Sequence, residues 1–598
     1  MSKTDIIKGR IASLREAMAA EGLDALIVPQ VDPHGSEYVA DRWQARKYFS
    51  GFTGSAGPLV LTKDSAWVIV DSRYWLQAAD QLSGTGIGVV ESGKPDAPSL
   101  EELLARSLQP GAKVGIDGLL ISQKDYESLS AYLEGCGLSL VLTDDIPDKV
   151  WEGRSGLPGG EIFVHELKYA GEAAQAKLDA VRSMIVKIGV DSAFIGDLAQ
   201  IAWLLNIRST DVACNPVVIA YLYVSQSMAV LFVEESKLTD EVRAYLAYCG
   251  VTTAPYAVVD KFLVNLPEGE KVAVDFGSIA ARLVYALGRG RAVASSLPIN
   301  EAKAVRNQIQ IEGTRRAMER DGAALVKGFM EIESRLRSGQ STTEIDVDAI
   351  LTHHRSAQDL YFDLSFETIA GYGAHGAIVH YSATPETNIE LRPEGLLLVD
   401  SGASYLDGTT DITRTIALGD PTDDMRRDYT AVLKGNVALA RAVFPAGTRG
   451  AQLDVLARMP MWTLGANYLH GTGHGVGHFL NVHEGPQSIR MQENPQPLLA
   501  GMVTSDEPGI YRAGRYGIRI ENLLLARHAF DDPDYGEFLS FETLTLYPFD
   551  RSLINRSMLD DGEKAWIDGY HAEVYRRLRP LLTEAEASWL EAKCAPLD

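Results

Sequence analysis

Cysteine is scarce: Cys136, Cys214, Cys249 and Cys594 are the only four in 598 residues, far apart and without a CxxC pair. That excludes a disulfide framework and argues against a thiolate zinc site. Long apolar runs are missing as well. No stretch approaches the roughly 20 apolar residues of a membrane-spanning helix. The opening MSKTDIIKGRIASLREAMAAEG is broken by charges where a secretion signal carries a continuous apolar core. Positive charge is in deficit: Lys plus Arg total 56 against 80 Asp plus Glu, a formal charge of −24. Nucleic acid and anionic membranes repel such a chain at long range, so neither is an expected partner. No low-complexity tract occurs. These absences leave a reducing, cytoplasmic setting as the expectation.

What remains is ordinary globular composition, 46% hydrophobic and 23% charged. At ~150 residues per domain the length predicts about four domains. From Ile7 to Glu21 the periodicity is helical, with Ile11, Leu14 and Met18 on one stripe. GLDALIVP then reads as a turn into a buried strand. KDSAWVIVDSRYWLQAAD reads as a strand, a turn and a helix start, and GAKVGIDG as a short strand. The same order returns in AKLDAVRSMIVKIGVDSAFIGD, and EKVAVDFGSIA echoes AKVGIDGLLIS. The spacing from turn glycine (Gly22, Gly189) to strand-end aspartate (Asp117, Asp275) is similar in both copies. The expected fold class is therefore α/β (α+β), with a duplicated α/β domain over residues 1–155 and 156–298. EGRSGLPGG and SSLPIN punctuate the boundaries. A long helical region, EAKAVRNQIQIEGTRRAMERDGAALVKGFMEIESRL, opens the remaining part, residues 299–598.

That last part concentrates the unusual residues; eight of the twelve histidines fall between His353 and His483. In LLLVDSGASYLDGTTDITRT, Leu396 to Val399 reads as a buried strand ending on Asp400, and Asp411 opens another strand-like run past Gly408. Either aspartate alone reads as a turn residue. Buried at strand ends, both need a partner or a cation. NYLHGTGHGVGHFLNVHEGP carries Gly471, Gly473, Gly475 and Gly477. Each would cost a helix roughly 1 kcal/mol, so His470, His474 and His478 are not a helical metal face. In extended chain His470 and His474 would sit ~13 Å apart, which points to different roles for them. Glu507 precedes a Pro-Gly turn in SDEPGIY. Glu521 follows an alternating run in RYGIRIENLLLA, with Arg519 on its own side. A surface Arg–Glu pair is the alternative reading there, opposed by Leu523, Leu524 and Leu525. The candidate ligands are Asp400, Asp411, His474, Glu507 and Glu521. Four carboxylates would neutralise two divalent cations, and oxygen-rich ligation with one nitrogen favours a harder ion such as Mn²⁺. Two such ions about 3.5–4 Å apart hold a bridging hydroxide as nucleophile and polarise a carbonyl.

DSGASYLDGTTDITRT, YLHGTGHGVGHFLNVHEGP, SDEPGIY and GIRIEN resemble the metallopeptidase family that includes methionine aminopeptidase, prolidase and aminopeptidase P. GAIVHYSATPETN resembles the segment before its first ligand. SEYVADRWQARKYFSGFTGSAGPLVLT with DSRYWLQAADQL resembles the first domain of the three-part aminopeptidase P type. The resemblance covers nearly the whole chain. It implies a pita-bread catalytic domain at 299–598 and release of the N-terminal residue from peptides with proline second. Asp411 and Glu521 would bridge two divalent ions, most simply Mn²⁺, with Zn²⁺ or Co²⁺ as alternatives. Asp400 would complete one site, and His474 with Glu507 the other. Glu507 would shuttle the proton, His380 and His483 would stabilise the tetrahedral intermediate or orient substrate, His470 would line the proline pocket, and Arg519 would order the site. A homodimer is implied too. His478 and Arg73 receive no catalytic role. The other readings are a prolidase acting on Xaa-Pro dipeptides, a metal-free creatinase-type enzyme, against which all five ligand positions are filled, and a non-catalytic binding protein.

Overall fold

The structure, a computed structural model, describes residues 2–597. It divides into two compact units, Met1–Leu167 with Glu172–Ile299, and Asn300–Asp598 with Lys168–Gly171. In the first unit, α1 (Lys3–Ala20) starts at a Ser2 capping box and buries Ile7, Ile11, Leu14 and Met18. These are the residues of the predicted stripe. A six-stranded sheet follows: β1 (Ala25–Val28), β2 (Leu59–Thr62), β3 (Ala66–Val70), β4 (Gly88–Glu91), β5 (Lys113–Asp117) and β6 (Ser139–Thr143), in the order β4-β3-β2-β1-β5-β6.

The second half of this unit repeats the plan. After α2 (Ala174–Ile188), capped by Gly189 at φ +75°, come β7 (Ser192–Ile195), β8 (Ala220–Ser225), β9 (Ala229–Val233), β10 (Val251–Ala254), β11 (Val272–Val274) and β12 (Ala292–Ala294). Their order is β10-β9-β8-β7-β11-β12. Strand for strand this is the first sheet again, and the senses agree. β1 and β7 each pair antiparallel with the next strand and parallel with β5 or β11. The two domains are alike, as the repeated sequence pattern implies.

The long helical region is not one helix. α3 (Ile299–Ala304) stops, and α4 (Gln308–Ser338) restarts where the Asn307 side chain accepts the Gln310 N–H in a capping box. Helices α5 (Glu344–Ser356), α6 (Asp423–Ala440) and α7 (Gly450–Trp462) pack with the strands of the second unit. Its core buries Phe329, Leu397, Val399, Tyr429, Ile518 and Leu523. One sheet is β13 (Ile369–Tyr372), β14 (Leu396–Ser401) and β15 (Ile412–Ala417), all antiparallel, with Asp400 opposite Thr413. A second has the order β16-β22-β21-β18, where β16 is Val443–Pro445, β18 is Val503–Asp506, β21 is Asn522–Asp532 and β22 is Gly536–Thr543. Between them lie the short strand β17 (Gly473–His474) and the hairpin of β19 (Gly509–Arg512) with β20 (Tyr516–Arg519). The glycine-rich histidine segment is therefore extended and looped, as expected.

Gly517 shows how tightly this region is built. A Cβ there would lie 1.7 Å from the Gly376 carbonyl oxygen. Backbone on both sides leaves no room to yield, and β20 leads directly to Arg519 and Glu521. Gly517→Ala is expected to destabilise the protein by about 1–3 kcal/mol through overpacking. The measurement is a lower urea midpoint at unchanged slope.

Candidate active site

The four carboxylates reach one place from different elements. Asp400 is the penultimate residue of β14, Asp411 immediately precedes β15, Glu507 follows β18, and Glu521 sits between β20 and β21. Backbone bonds tie these ends together: Glu521 N–H donates to the Thr413 carbonyl (3.0 Å), and Glu507 N–H to that of Thr472 (2.8 Å). Asp411, His474 and Glu521 each offer a ligand atom within 4.8 Å of the others, a grouping able to hold a metal ion. His474 Nε2 is 3.6 Å from Asp411 Oδ2 and 3.5 Å from Glu507 Oε1. Asp400, Asp411 and Glu521 are buried, while His474 and Glu507 are half-buried.

Two observations fit cations at this cluster. The first concerns the donor atoms. Asp400 Oδ1 and Glu521 Oε1 are buried oxygens with no hydrogen-bond partner among the described residues, an arrangement that is costly unless something positive meets them. His474 Nδ1 lies 2.9 Å from the Gly475 carbonyl. An N–H there donates to that oxygen and leaves the Nε2 lone pair facing the carboxylates, the tautomer a metal ligand needs. The second is electrostatic. Burial and the charges of Glu521, Asp400 and Glu507 push the Asp411 carboxyl well above its ordinary range. Glu521 is raised in the same way. Glu507 is pushed up to about 7, chiefly by burial and by Asp400, against the pull of Arg519. These acids cannot all ionise without added positive charge.

Arg519 is the fixed cation that donates to a carboxylate of the cluster, while Arg414 NH1 donates to the Glu521 backbone carbonyl (2.6 Å). The Arg519 NH2 group donates to Asp400 Oδ2 (2.6 Å), Nε to Thr413 Oγ1 (3.1 Å) and NH1 to the Tyr511 hydroxyl (2.8 Å). Thr413 Oγ1 in turn donates to Glu521 Oε2 (2.9 Å). Arg519 is 1% exposed, which removes the surface ion-pair reading. His470 Nε2 lies 2.8 Å from the Tyr511 hydroxyl, so His470 joins the same network. His483 packs edge-on to His474, ring centroids 4.4 Å apart. His380 lies half-buried on the loop after the turn Gly373–Ala377, which packs against β20. His478 Nε2 is 3.2 Å from the Tyr169 carbonyl, outside the carboxylate cluster. In the other unit, Arg73 makes a bidentate pair with Asp71.

Sequence reasoning missed three participants. Tyr511 joins His470 to Arg519; its only signal was a tyrosine two residues into a strand after the Pro-Gly turn. Thr413 joins Arg519 to Glu521, and in the sequence it is one threonine among several. Asp506, wholly buried, keeps both carboxylate oxygens without a hydrogen-bond partner among the described residues and is raised well above its ordinary range by burial, Glu521 and Glu507.

Comparison with known proteins places this geometry in a family. Residues 312–528 match metallopeptidase family M24, and residues 537–597 match the C-terminal region of peptidase M24. Residues 10–150 and 153–310 each match a creatinase/prolidase N-terminal domain. The chain is 39% identical to a probable Xaa-Pro aminopeptidase P of Laccaria bicolor, over 98% of this chain and 93% of that protein. It is 38% identical to aminopeptidase P2 of Arabidopsis thaliana, over 99% and 89%. The crystal structure of an X-prolyl aminopeptidase from Caenorhabditis elegans, described as a cytosolic enzyme with a di-nuclear active site, superposes with a TM-score of 0.96 at 33% identity, covering 99% of both chains.

The raised Glu507 gives the metal-free protein a signed pH dependence. Between its ordinary 4.5 and about 7 this group is protonated when folded and ionised when unfolded. Its contribution to stability is therefore full below that window and lost as pH rises through it. Cations and protons compete for the same oxygens. The melting-temperature gain from adding Mn²⁺ to chelator-treated protein is expected to be small near about pH 5 and much larger near about pH 7.5. An equal gain at both would count against this cluster as the cation site.

Proposed function

The chain belongs to metallopeptidase family M24, and from that premise we infer that it is a metal-dependent Xaa-Pro aminopeptidase, releasing the N-terminal residue from peptides whose second residue is proline. The observation that carries this reading is the extent of the likeness. It runs through both N-terminal domains as well as the catalytic unit, at 39% identity to a probable Xaa-Pro aminopeptidase P. We read the chain as three domains, at 1–155, 156–298 and 299–598.

Asp400, Asp411, His474, Glu507 and Glu521 would hold two divalent cations, and of these Asp411, His474 and Glu521 already offer ligand atoms within 4.8 Å of one another. The oxygen-rich set with one imidazole favours Mn²⁺, with Zn²⁺ or Co²⁺ next. When bound, such a pair supplies Lewis-acid polarisation of the scissile carbonyl and lowers the pKa of water. The chain's own groups do the rest. Glu507 takes a proton from water and returns it to the departing proline nitrogen. His483, beside His474, and His380 orient the substrate carbonyl and stabilise the oxygen that gains charge. Arg519 holds Asp400 in place. His470, fixed through Tyr511, lines the proline pocket. An Xaa-Pro bond has no amide N–H, so a site that grips the free amine and the carbonyl loses nothing by its absence.

A homodimer is part of this reading. On α7, Val455, Met459 and Trp462 follow helical spacing and are 41%, 56% and 45% exposed, an apolar stripe suited to a second copy. A cytoplasmic location fits the scarcity of cysteine and the nematode enzyme's description as cytosolic. No helix among the described residues is long and apolar enough to cross a membrane.

Turnover of an Xaa-Pro-Yaa tripeptide, with proline's partner released, is the decisive assay. Cleavage of Xaa-Pro dipeptides alone would favour a prolidase instead. Glu507→Gln is expected to lower kcat by about 10²–10⁴-fold while the urea midpoint of the metal-free protein near about pH 5, where Glu507 is protonated, barely moves; retained activity would remove Glu507 from proton transfer. Chelation should inactivate the enzyme, and Mn²⁺ should restore more activity than Mg²⁺.

A further inference from the structure

Two buried cations of the second unit have no part in the chemistry above. Lys303, near the end of α3, and Arg306, just past it, are each 5% exposed. Lys303 Nζ donates to Glu484 Oε1 at 2.6 Å, and Glu484 is itself buried. Arg306 NH2 donates to the carbonyls of Val476 (2.8 Å) and Gly477 (3.0 Å), and NH1 to Thr314 Oγ1 (2.5 Å). The Arg306 N–H donates to the Gly501 carbonyl (3.1 Å), fixing the backbone from which the guanidinium reaches. The contacts to Glu484, Val476 and Gly477 all fall on the loop 474–484, which begins at His474 and carries His483 next to Glu484, while Thr314 and Gly501 anchor Arg306 from outside it.

The loop has an unusual shape to hold. Glu484 N–H donates to the Gly475 carbonyl (2.8 Å) and Gly477 N–H to that of Asn481 (2.9 Å), folding it back on itself. Phe479, fully buried, has φ +51°, a left-handed conformation that a bulky side chain adopts only under constraint. Glu484 fills the space that side chains at the loop glycines would need. A Cβ on Gly475 would lie 2.0 Å from its carbonyl oxygen, and one on Gly477 2.7 Å from its Oε2. Stability alone gives a weak reason for such a pair, because apolar residues of similar volume commonly replace a buried ion pair at no cost. Its geometry supplies another reason: it fixes one conformation of a strained loop.

We propose that Lys303 and Arg306 are positioning residues that clamp the loop 474–484 and so hold His483 against His474. This rests on the aminopeptidase reading of the site. The decisive variant is Lys303→Met/Glu484→Met, which removes the two bonded charges together and leaves Arg306 its carbonyl and hydroxyl acceptors. Three measurements on the full-length, Mn²⁺-loaded protein decide it: kcat and KM on an Xaa-Pro-Yaa peptide, the melting temperature, and amide hydrogen exchange of the loop. The melting temperature is expected near that of the parent. Loop exchange should be about tenfold faster or more, and kcat about tenfold lower or more with KM nearly unchanged, since small misplacements of reacting groups cost that much. Loop exchange or kcat close to the parent value would overturn the clamp. If the double variant does not fold, Glu484→Gln is read in the same way. A parent protein inactive on Xaa-Pro peptides would sink the aminopeptidase reading, while loop exchange would still decide the clamp.

Discussion

The catalytic unit is organised around the mutual repulsion of buried carboxylates. Asp400, Asp411, Glu507 and Glu521 converge in one place, with Asp506 buried behind them. Two like charges 4 Å apart cost about 4 kcal/mol at an effective dielectric near 20, and four ionised groups make six repelling pairs at various separations. Arg519 offsets part of this through Asp400. The remainder must be met by protons or by metal cations. The same cluster is thus a poor place for four anions and a good place for two divalent ions, and it stays so only if the scaffold prevents the groups from moving apart.

That requirement explains the packing around it. Each carboxylate is anchored at or beside a strand end, and backbone hydrogen bonds from Glu521 to Thr413 and from Glu507 to Thr472 tie the elements together. The glycines let backbones approach more closely than any side chain permits. A Cβ on Gly473 would lie 1.9 Å from the Ser505 carbonyl oxygen, which brings the histidine strand directly onto β18. Gly473, Gly475 and Gly477 of the run HGTGHGVGH are thus packing necessities that also place His474, whereas Gly471 has room for a side chain. The cations act at two levels. Arg519 touches the carboxylates, while Lys303 and Arg306 act one layer out, on the loop that carries the second histidine.

Features that depend on local pattern were legible in the sequence. The stripe Ile11, Leu14, Met18 became the buried face of α1, and the recurrence of helix, turn and strand became two sheets with one strand order. Asp400 at the end of an apolar run was legible for the same reason, because the run marks a buried strand. Convergence was not legible from pattern. Asp400 and Glu521 are remote in sequence, and only their types and order, through the family resemblance, brought them together. Tyr511 was overlooked because a tyrosine in an alternating strand has a sufficient explanation as core. Lys303 and Arg306 were overlooked because cations in a helical region ordinarily face water. Neither residue carries a local mark of being buried; that depends on Glu484 and the carbonyls of Val476 and Gly477 arriving from a distant segment.

The suitability of this arrangement for proline follows from the leaving group. Cleaving an ordinary peptide bond and cleaving one before proline both require a proton on the departing nitrogen, but the prolyl nitrogen is tertiary in the amide and offers no N–H by which to hold it. Positioning must come from the carbonyl and the free amine on the other side of the bond, and an acidic site suits an ammonium terminus. The proton must then come from a group able to hold it and release it near neutrality. Glu507 is pushed up to about 7 by burial and by Asp400. In the metal-free protein that raised carboxyl is a measure of the repulsion; cations bound among the same oxygens would relieve it and draw the carboxyl back down, so what Glu507 brings to the proposed proton transfer is its position, 3.5 Å from His474 Nε2.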